Sequence, residues 1–118
     1  MARLITYSVY IMSNKNRTVL YVGVTSNLES RVLDHKTGES KFTAKYNCTD
    51  LLYFEEYADI RNAIAREKQL KKWKRTWKED LIKKENPELK DLAADWYRQM
   101  PHQVRHDSEA YECLQTAL

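Results

Sequence analysis

Apolar and polar residues alternate twice near the start of the chain. Residues 7–12 (YSVYIM) and 19–24 (VLYVGV) are short β-branched and aromatic runs, the pattern of half-buried strands. The polar connector SNKNRT between them predicts a hairpin with a moderately long loop. Pairing Met12 with Val19 sets Ile11 opposite Leu20 and Tyr10 directly opposite Tyr21. Val9 and Ile11 then share one sheet face with Leu20 and Val22, and the two tyrosines share the other.

Helical patterns and a third strand follow. In SNLE, Ser26 and Glu29 have capping-box spacing and predict a helix to about Lys36, with Leu28, Arg31, Val32 and His35 on one stripe. Residues 37–48 read as a loop, and residues 50–57 (DLLYFEEY) as a third strand. Asp59 is placed to cap a helix that ends near Trp73. Thr76 with Glu79 makes a second capping box at the head of a basic helix. Asn86 followed by Pro87 fits an N-cap and first helical position, predicting a helix through about Tyr97. MPHQVRHD breaks the chain before a short helix over about residues 108–116. The order β-β-α-β-α-α, with further helix at the C-terminal end, makes a small α+β domain: a three-stranded antiparallel sheet flanked by helices.

One residue interrupts the apolar stripe of the helix that Asp59 caps. At 100° per residue Ile60, Ala63, Ile64 and Leu70 gather on one side, and Glu67 falls in the middle of their stripe. A carboxylate there is paired, protonated or bound to a metal, because burying an unpartnered charge costs several kcal/mol or more.

Charge sharpens the picture. The net charge of +3 hides an asymmetry: residues 61–84 hold ten Lys/Arg against three Asp/Glu, a local +7. Such a block suits phosphate contacts, although charge runs are commonly just solvated helix faces. Composition bounds the rest. With 118 residues the chain forms one domain large enough to need no staples. Cys48 and Cys113 lie far apart and form no metal-ligand pattern, which predicts free thiols in a reducing compartment. No run approaches the ~18 apolar residues of a membrane span, and the N-terminus reads as a strand rather than a signal peptide. A soluble, cytoplasmic protein with no membrane partner is expected.

Arg31 and His35 on one inner stripe, Glu67 on another and two tyrosines on one sheet face exceed the polar content of an ordinary core. Singly, each has a structural reading: a packed tyrosine with a satisfied hydroxyl, a helix-edge histidine, a buried pair of Glu67 with Arg31. Together they offer a metal-binding carboxylate, a cation for developing phosphate charge and proton acceptors, which are the demands of phosphodiester hydrolysis.

The ordered strings VYI, YVG with its tyrosine eleven residues after the first, GVTSNLESRVLDH, REKQLKKWKR and ENPELKDL resemble the GIY-YIG nuclease superfamily. The likeness is strongest to its small stand-alone members, related to the N-terminal nuclease domain of the bacterial excision-repair incision protein. It covers about residues 5–93. It implies a GIY-YIG-like nuclease domain over residues 1–97 and leaves 98–118 as a C-terminal extension without a role. Carried over residue by residue, it implies Tyr10 as general base toward the attacking water and Tyr21 as the group that orients water or phosphate. Arg31 would stabilise the pentacovalent phosphate, His35 assist proton transfer, and Glu67 bind one divalent ion, Mg²⁺ or Mn²⁺. Asn86 would match an asparagine that positions phosphate or metal in some members. VYI and YVG depart from the family's naming motif but keep both tyrosines, and Leu89 stands where close relatives have Trp.

The leading expectation is therefore a metal-dependent endonuclease acting on DNA, structure-selective or weakly specific, in repair or recombination. Lys71, Lys72, Lys74, Arg75 and Lys78 would contact phosphates, and a protein partner would supply target choice. A nucleic-acid-binding module with little turnover, or a scaffold whose basic helices hold an acidic partner, are the alternatives; only the endonuclease predicts Mg²⁺-dependent product.

Overall fold

The computed structural model describes residues 5–38 and 45–97. Its elements are β1 (Tyr7–Ser13), β2 (Leu20–Thr25), α1 (Leu28–Thr37), β3 (Asp50–Tyr57), α2 (Ile60–Lys72) and α3 (Arg75–Glu85). The strands form one antiparallel sheet in the order β2-β1-β3. This is the expected α+β architecture. The expected helix over about residues 108–116 and the residue Cys113 lie outside the described residues.

The hairpin register differs from the expectation by two positions. Met12 pairs with Tyr21, Ile11 with Val22 and Tyr10 with Gly23. The cause lies in the loop. The Asn14 Oδ1 atom accepts from the backbone N–H groups of Thr18 and Val19 at 2.8 and 3.0 Å, with Arg17 left-handed at φ 60°. Val19 is thereby drawn out of the strand. A two-residue slip preserves the face of every side chain, so Tyr10 and Tyr21 still share a face, now diagonally rather than directly opposed.

Each face of the sheet is covered separately. Val9, Ile11 and Val22 pack against Ala63 and Leu70 of α2 and Ile82 of α3. On the other face, Tyr10 and Met12 pack with Val32 of α1, Cys48 and Ala93. β3 serves both faces through a bulge: Ile11 pairs with Tyr53 and Met12 with Leu51, which leaves Leu52 unopposed. Leu52 and Tyr53 join the first cluster while Leu51 joins the second. Cys48 is a buried free thiol. Among the described residues no helix is long and apolar enough to cross a membrane.

Three cap expectations are corrected. The N-cap of α1 is Asn27, whose side chain accepts from Ser30 N while its own N–H donates to Thr25 Oγ1 at 3.0 Å; the Ser26–Glu29 box does not form. α3 starts at Arg75 after Lys74, without a side-chain cap, so Thr76 sits inside the helix. Asn86 ends α3 instead of opening a helix, and residues 87–88 and 92–97 form turns. Its amide explains why. Nδ2 donates to the carbonyls of Leu52 (3.1 Å) and Lys90 (2.8 Å), and Oδ1 accepts from Lys90 N (3.0 Å). Local side-chain bonds of this kind compete with helix. Together with Leu92 N–H to Leu51 O (2.7 Å) and Leu51 N–H to Asp91 Oδ1 (2.9 Å), they cover the outer edge of β3, which would otherwise be an open template for pairing. Asp59 caps α2 as expected, accepting from Arg61 N.

Candidate active site

Tyr10 sits at the centre of β1, with its ring lying across Gly23 of β2. A Cβ at Gly23 would fall 2.5 Å from the Tyr10 Cζ and Oη atoms, so the glycine of YVG is a matter of space for that ring. α1 brings Arg31 and His35 down onto the same face because they are one turn apart. The Tyr10 hydroxyl lies 3.0 Å from His35 Nε2, both groups buried. Tyr21 completes the group, with ring centroids 6.3 Å from Tyr10 and 5.5 Å from His35. Tyr10, Arg31 and His35 are each at most 2% exposed; Tyr21 is partly exposed.

Burial sets the protonation states. His35 is pushed down from 6.5 to about 3 by loss of solvent, with the Arg31 charge adding, so the imidazole is neutral. The Tyr10 phenol is pushed well above its usual value of 10, first by burial and then by Tyr21, against the pull of Arg31; Glu67 adds to the rise. A neutral phenol beside a neutral imidazole is a hydrogen-bond donor to an acceptor. Tyr10 O–H therefore donates to Nε2, which fixes the His35 proton on Nδ1.

Arg31 does not pair with Glu67. Its Nη1 atom bonds Asp34 Oδ2 at 3.1 Å, with both side chains nearly fully buried. Nε and Nη2, buried on the other edge of the guanidinium, have no hydrogen-bond partner. Unsatisfied buried donors are costly, and a guanidinium edge is the shape that grips two oxygens of a phosphate or carboxylate. Asp34 was not singled out from the sequence, although its position three residues after Arg31 on the inward stripe was a usable signal.

Glu67 meets Lys71 one helical turn on, Oε2 to Nζ at 2.8 Å; the glutamate side chain is 14% exposed and the lysine 53%. Of the states open to Glu67, the structure shows the paired one. Among the described residues no group of three or more His, Cys, Asp or Glu side chains gathers to hold a metal. A closed protein cage is therefore not built from them. A hard cation such as Mg²⁺ fits a different arrangement, one carboxylate with waters and substrate phosphate oxygens completing the shell, and Glu67 can supply that carboxylate.

The basic residues divide. Lys71 and Lys78 line a groove of about 380 Å³ whose floor is Leu20, Tyr21 and Val22 of the edge strand β2. Lys72 is exposed. Lys74 lies over the Trp77 ring at 5.7 Å. Arg75 is committed to Glu79 and to carbonyls of Arg17 and Thr18 in the β1–β2 loop, which makes it a tether. Asn86, with its amide engaged by backbone at the β3 edge, is not among the groups gathered around Tyr10.

Tyr10, Tyr21, Arg31 and His35 are thus brought together by β1, β2 and α1, and Glu67 of α2 lies near enough for its charge to act on the Tyr10 phenol. The sequence profile of the GIY-YIG catalytic domain matches residues 6–80, and the chain belongs to the GIY-YIG nuclease family. Within that family it is similar to the UPF0213 proteins, small stand-alone members. One from Syntrophus aciditrophicus (strain SB) is 37% identical over 82 residues, covering 68% of this chain and 92% of that protein. Another, from Clostridium perfringens, is 40% identical over 75 residues, 63% of this chain and 80% of the relative. The solution NMR structure of a UPF0213 protein from Bacillus halodurans aligns with 77% of this chain and 98% of its own at a TM-score of 0.49 and 22% identity.

Proposed function

We propose that this protein is a metal-dependent endonuclease that hydrolyses DNA phosphodiester bonds, with structure-selective or weak target preference and a role in DNA repair or recombination. The observation that carries the reading is the gathering of two tyrosines, a neutral histidine and an arginine with an unsatisfied guanidinium edge on one sheet face, within reach of the Glu67 charge.

In this reading the free Nε–Nη2 edge of Arg31 grips the scissile phosphate, and Asp34 holds the guanidinium in that orientation. Tyr21, the partly exposed phenol, orients the water or the phosphate. Tyr10 accepts a proton from the attacking water as it passes its own to His35 Nε2. Both transfers occur together, so no free phenolate forms, and a phenol held above its usual range is no obstacle. His35 becomes a better base once phosphate offsets the Arg31 charge that depresses it. A divalent ion, Mg²⁺ or Mn²⁺, held by Glu67 would supply neutralisation of charge on the phosphate and leaving oxygen. Lys71, Lys72, Lys74 and Lys78 hold neighbouring phosphates, and Asn86 serves by clamping the chain after α3 rather than by touching substrate. Target choice falls to a protein partner.

The test is cleavage of labelled duplex, flap, four-way junction, single strand and supercoiled plasmid with Mg²⁺, Mn²⁺ or EDTA, comparing wild type with Glu67→Ala and Tyr10→Phe. Metal-dependent cutting that vanishes in both variants is expected. Binding without product in every case would leave a nucleic-acid-binding module.

A further inference from the structure

A second cleft of about 370 Å³ opens on the Tyr10 face, between the start of α1, the β1–β3 surface and the turns after α3. Ser8 lies in it, two residues from Tyr10 on the same strand face and so only about 7 Å along β1. Phe54, the cross-strand partner of Tyr10, and Trp96 form an aromatic wall, in edge contact at 6.2 Å. Glu29 and Glu56 stand at the rim. Among the described residues no lysine or arginine lines it, which sets it apart from the groove of Lys71 and Lys78.

Two carboxylates repel phosphate and accept from N–H donors, while an aromatic wall suits a flat ring. We propose that this cleft binds an unpaired nucleobase next to the scissile phosphate, with guanine preferred, an inference that rests on the nuclease reading for its substrate. Guanine offers adjacent N–H donors on its pairing edge, matched to a carboxylate acceptor; carboxylates likewise accept from the amino group of cytosine. Bases taken out of the stack are held in this way, by hydrogen bonds to the pairing edge and aromatic contact with the ring. The base must be unpaired to enter, so the site favours substrates with a single-stranded nucleotide at the cut.

The experiment is fluorescence anisotropy with labelled five-nucleotide thymine strands carrying one central guanine, adenine, cytosine or thymine, in EDTA so that nothing is cut. Guanine is expected to bind most tightly and thymine least. Glu56→Gln, a change at an exposed side chain, should erase most of the guanine advantage, by roughly tenfold. Trp96→Leu, checked for folding by circular dichroism, should weaken all four strands by roughly tenfold. Equal binding of the four strands, or an undiminished guanine preference in Glu56→Gln, would overturn the proposal. Because no cleavage is read, this outcome is separable from the nuclease reading: cutting that survives in Glu67→Ala sinks that reading and leaves any base preference standing.

Discussion

Gly23→Ala tests the geometry of the site through a single methyl group. The new carbon would lie 2.5 Å from Cζ and Oη of Tyr10, so about 1 Å of movement is needed to restore ordinary carbon contact near 3.5 Å. Tyr10 is 1% exposed and packed among Met12, Val32 and Leu51, which leaves its ring little room. Overpacking of this kind costs about 1–3 kcal/mol. Displacing the hydroxyl by 1 Å also stretches its 3.0 Å bond to His35 beyond hydrogen-bond range, and an unsatisfied buried hydroxyl adds about 1–3 kcal/mol. Together, a loss of about 2–6 kcal/mol is expected, read as a lower urea midpoint with unchanged slope. Cleavage should fall by about 10²-fold, the usual consequence of a 1 Å misplacement. The control is Tyr10→Phe/Gly23→Ala, where loss of the hydroxyl relieves the contact at Oη and brings back part of the stability lost in Gly23→Ala. A Gly23→Ala protein with wild-type midpoint and wild-type cleavage would refute the reasoning.

Three further outcomes follow from the same cluster. His35 is depressed to about 3 by burial and by Arg31, so below pH 6.5 the unfolded chain binds a proton that the folded chain refuses; stability is complete above pH 6.5 and falls by about 1.4 kcal/mol per pH unit below it. Between pH 6.5 and 5, above the range where carboxylates such as Asp50 and Glu55 begin to matter, wild type should lose about 2 kcal/mol more than His35→Gln; equal slopes in chemical denaturation would contradict a buried neutral imidazole. Asp34→Ala strands the Arg31 charge in the core and should cost about 3–5 kcal/mol, while Arg31→Leu/Asp34→Leu recovers most of it; a loss under about 1 kcal/mol in the single variant would mean that the pair is solvated. Lys71→Met frees Glu67 and should tighten Mn²⁺ binding in the absence of DNA by about twofold, the worth of a one-turn ion pair, as read by electron paramagnetic resonance; weaker Mn²⁺ binding would show that the lysine does not compete for the carboxylate.

The alternation of residues 7–12 and 19–24 announced the hairpin strands, because a period of two is a property of the strand itself, and the leucine and aromatic run at 50–57 announced the third. The same periodicity placed Tyr10 and Tyr21 on one face, and it survived the error in register because that error was an even number of residues. Arg31, His35 and Glu67 were legible for a related reason: each is a polar residue on a stripe that helical spacing turns inward. Caps were legible only where one donor and one acceptor had no rivals, as at Asp59 with Arg61 N–H.

Partner choice was not legible. Glu67 had Arg31 and Lys71 as potential partners, and the separation of α1 from α2 gave it Lys71 while Asp34 took Arg31. Asn86 followed by Pro87 is a sound helix start in isolation, yet the bulged edge of β3 offered the Leu52 carbonyl, and the amide bridges that edge and Lys90 instead. Gly23 is unremarkable in a string of letters; only the ring of Tyr10, thirteen positions earlier and across a strand pair whose register depends on Asn14, makes it obligatory. Periodicity and local caps are decided within a few residues, so the chain carries them in its spacing. Which of several polar groups meets which is a competition between distances across separate elements, and only the assembled fold sets those distances.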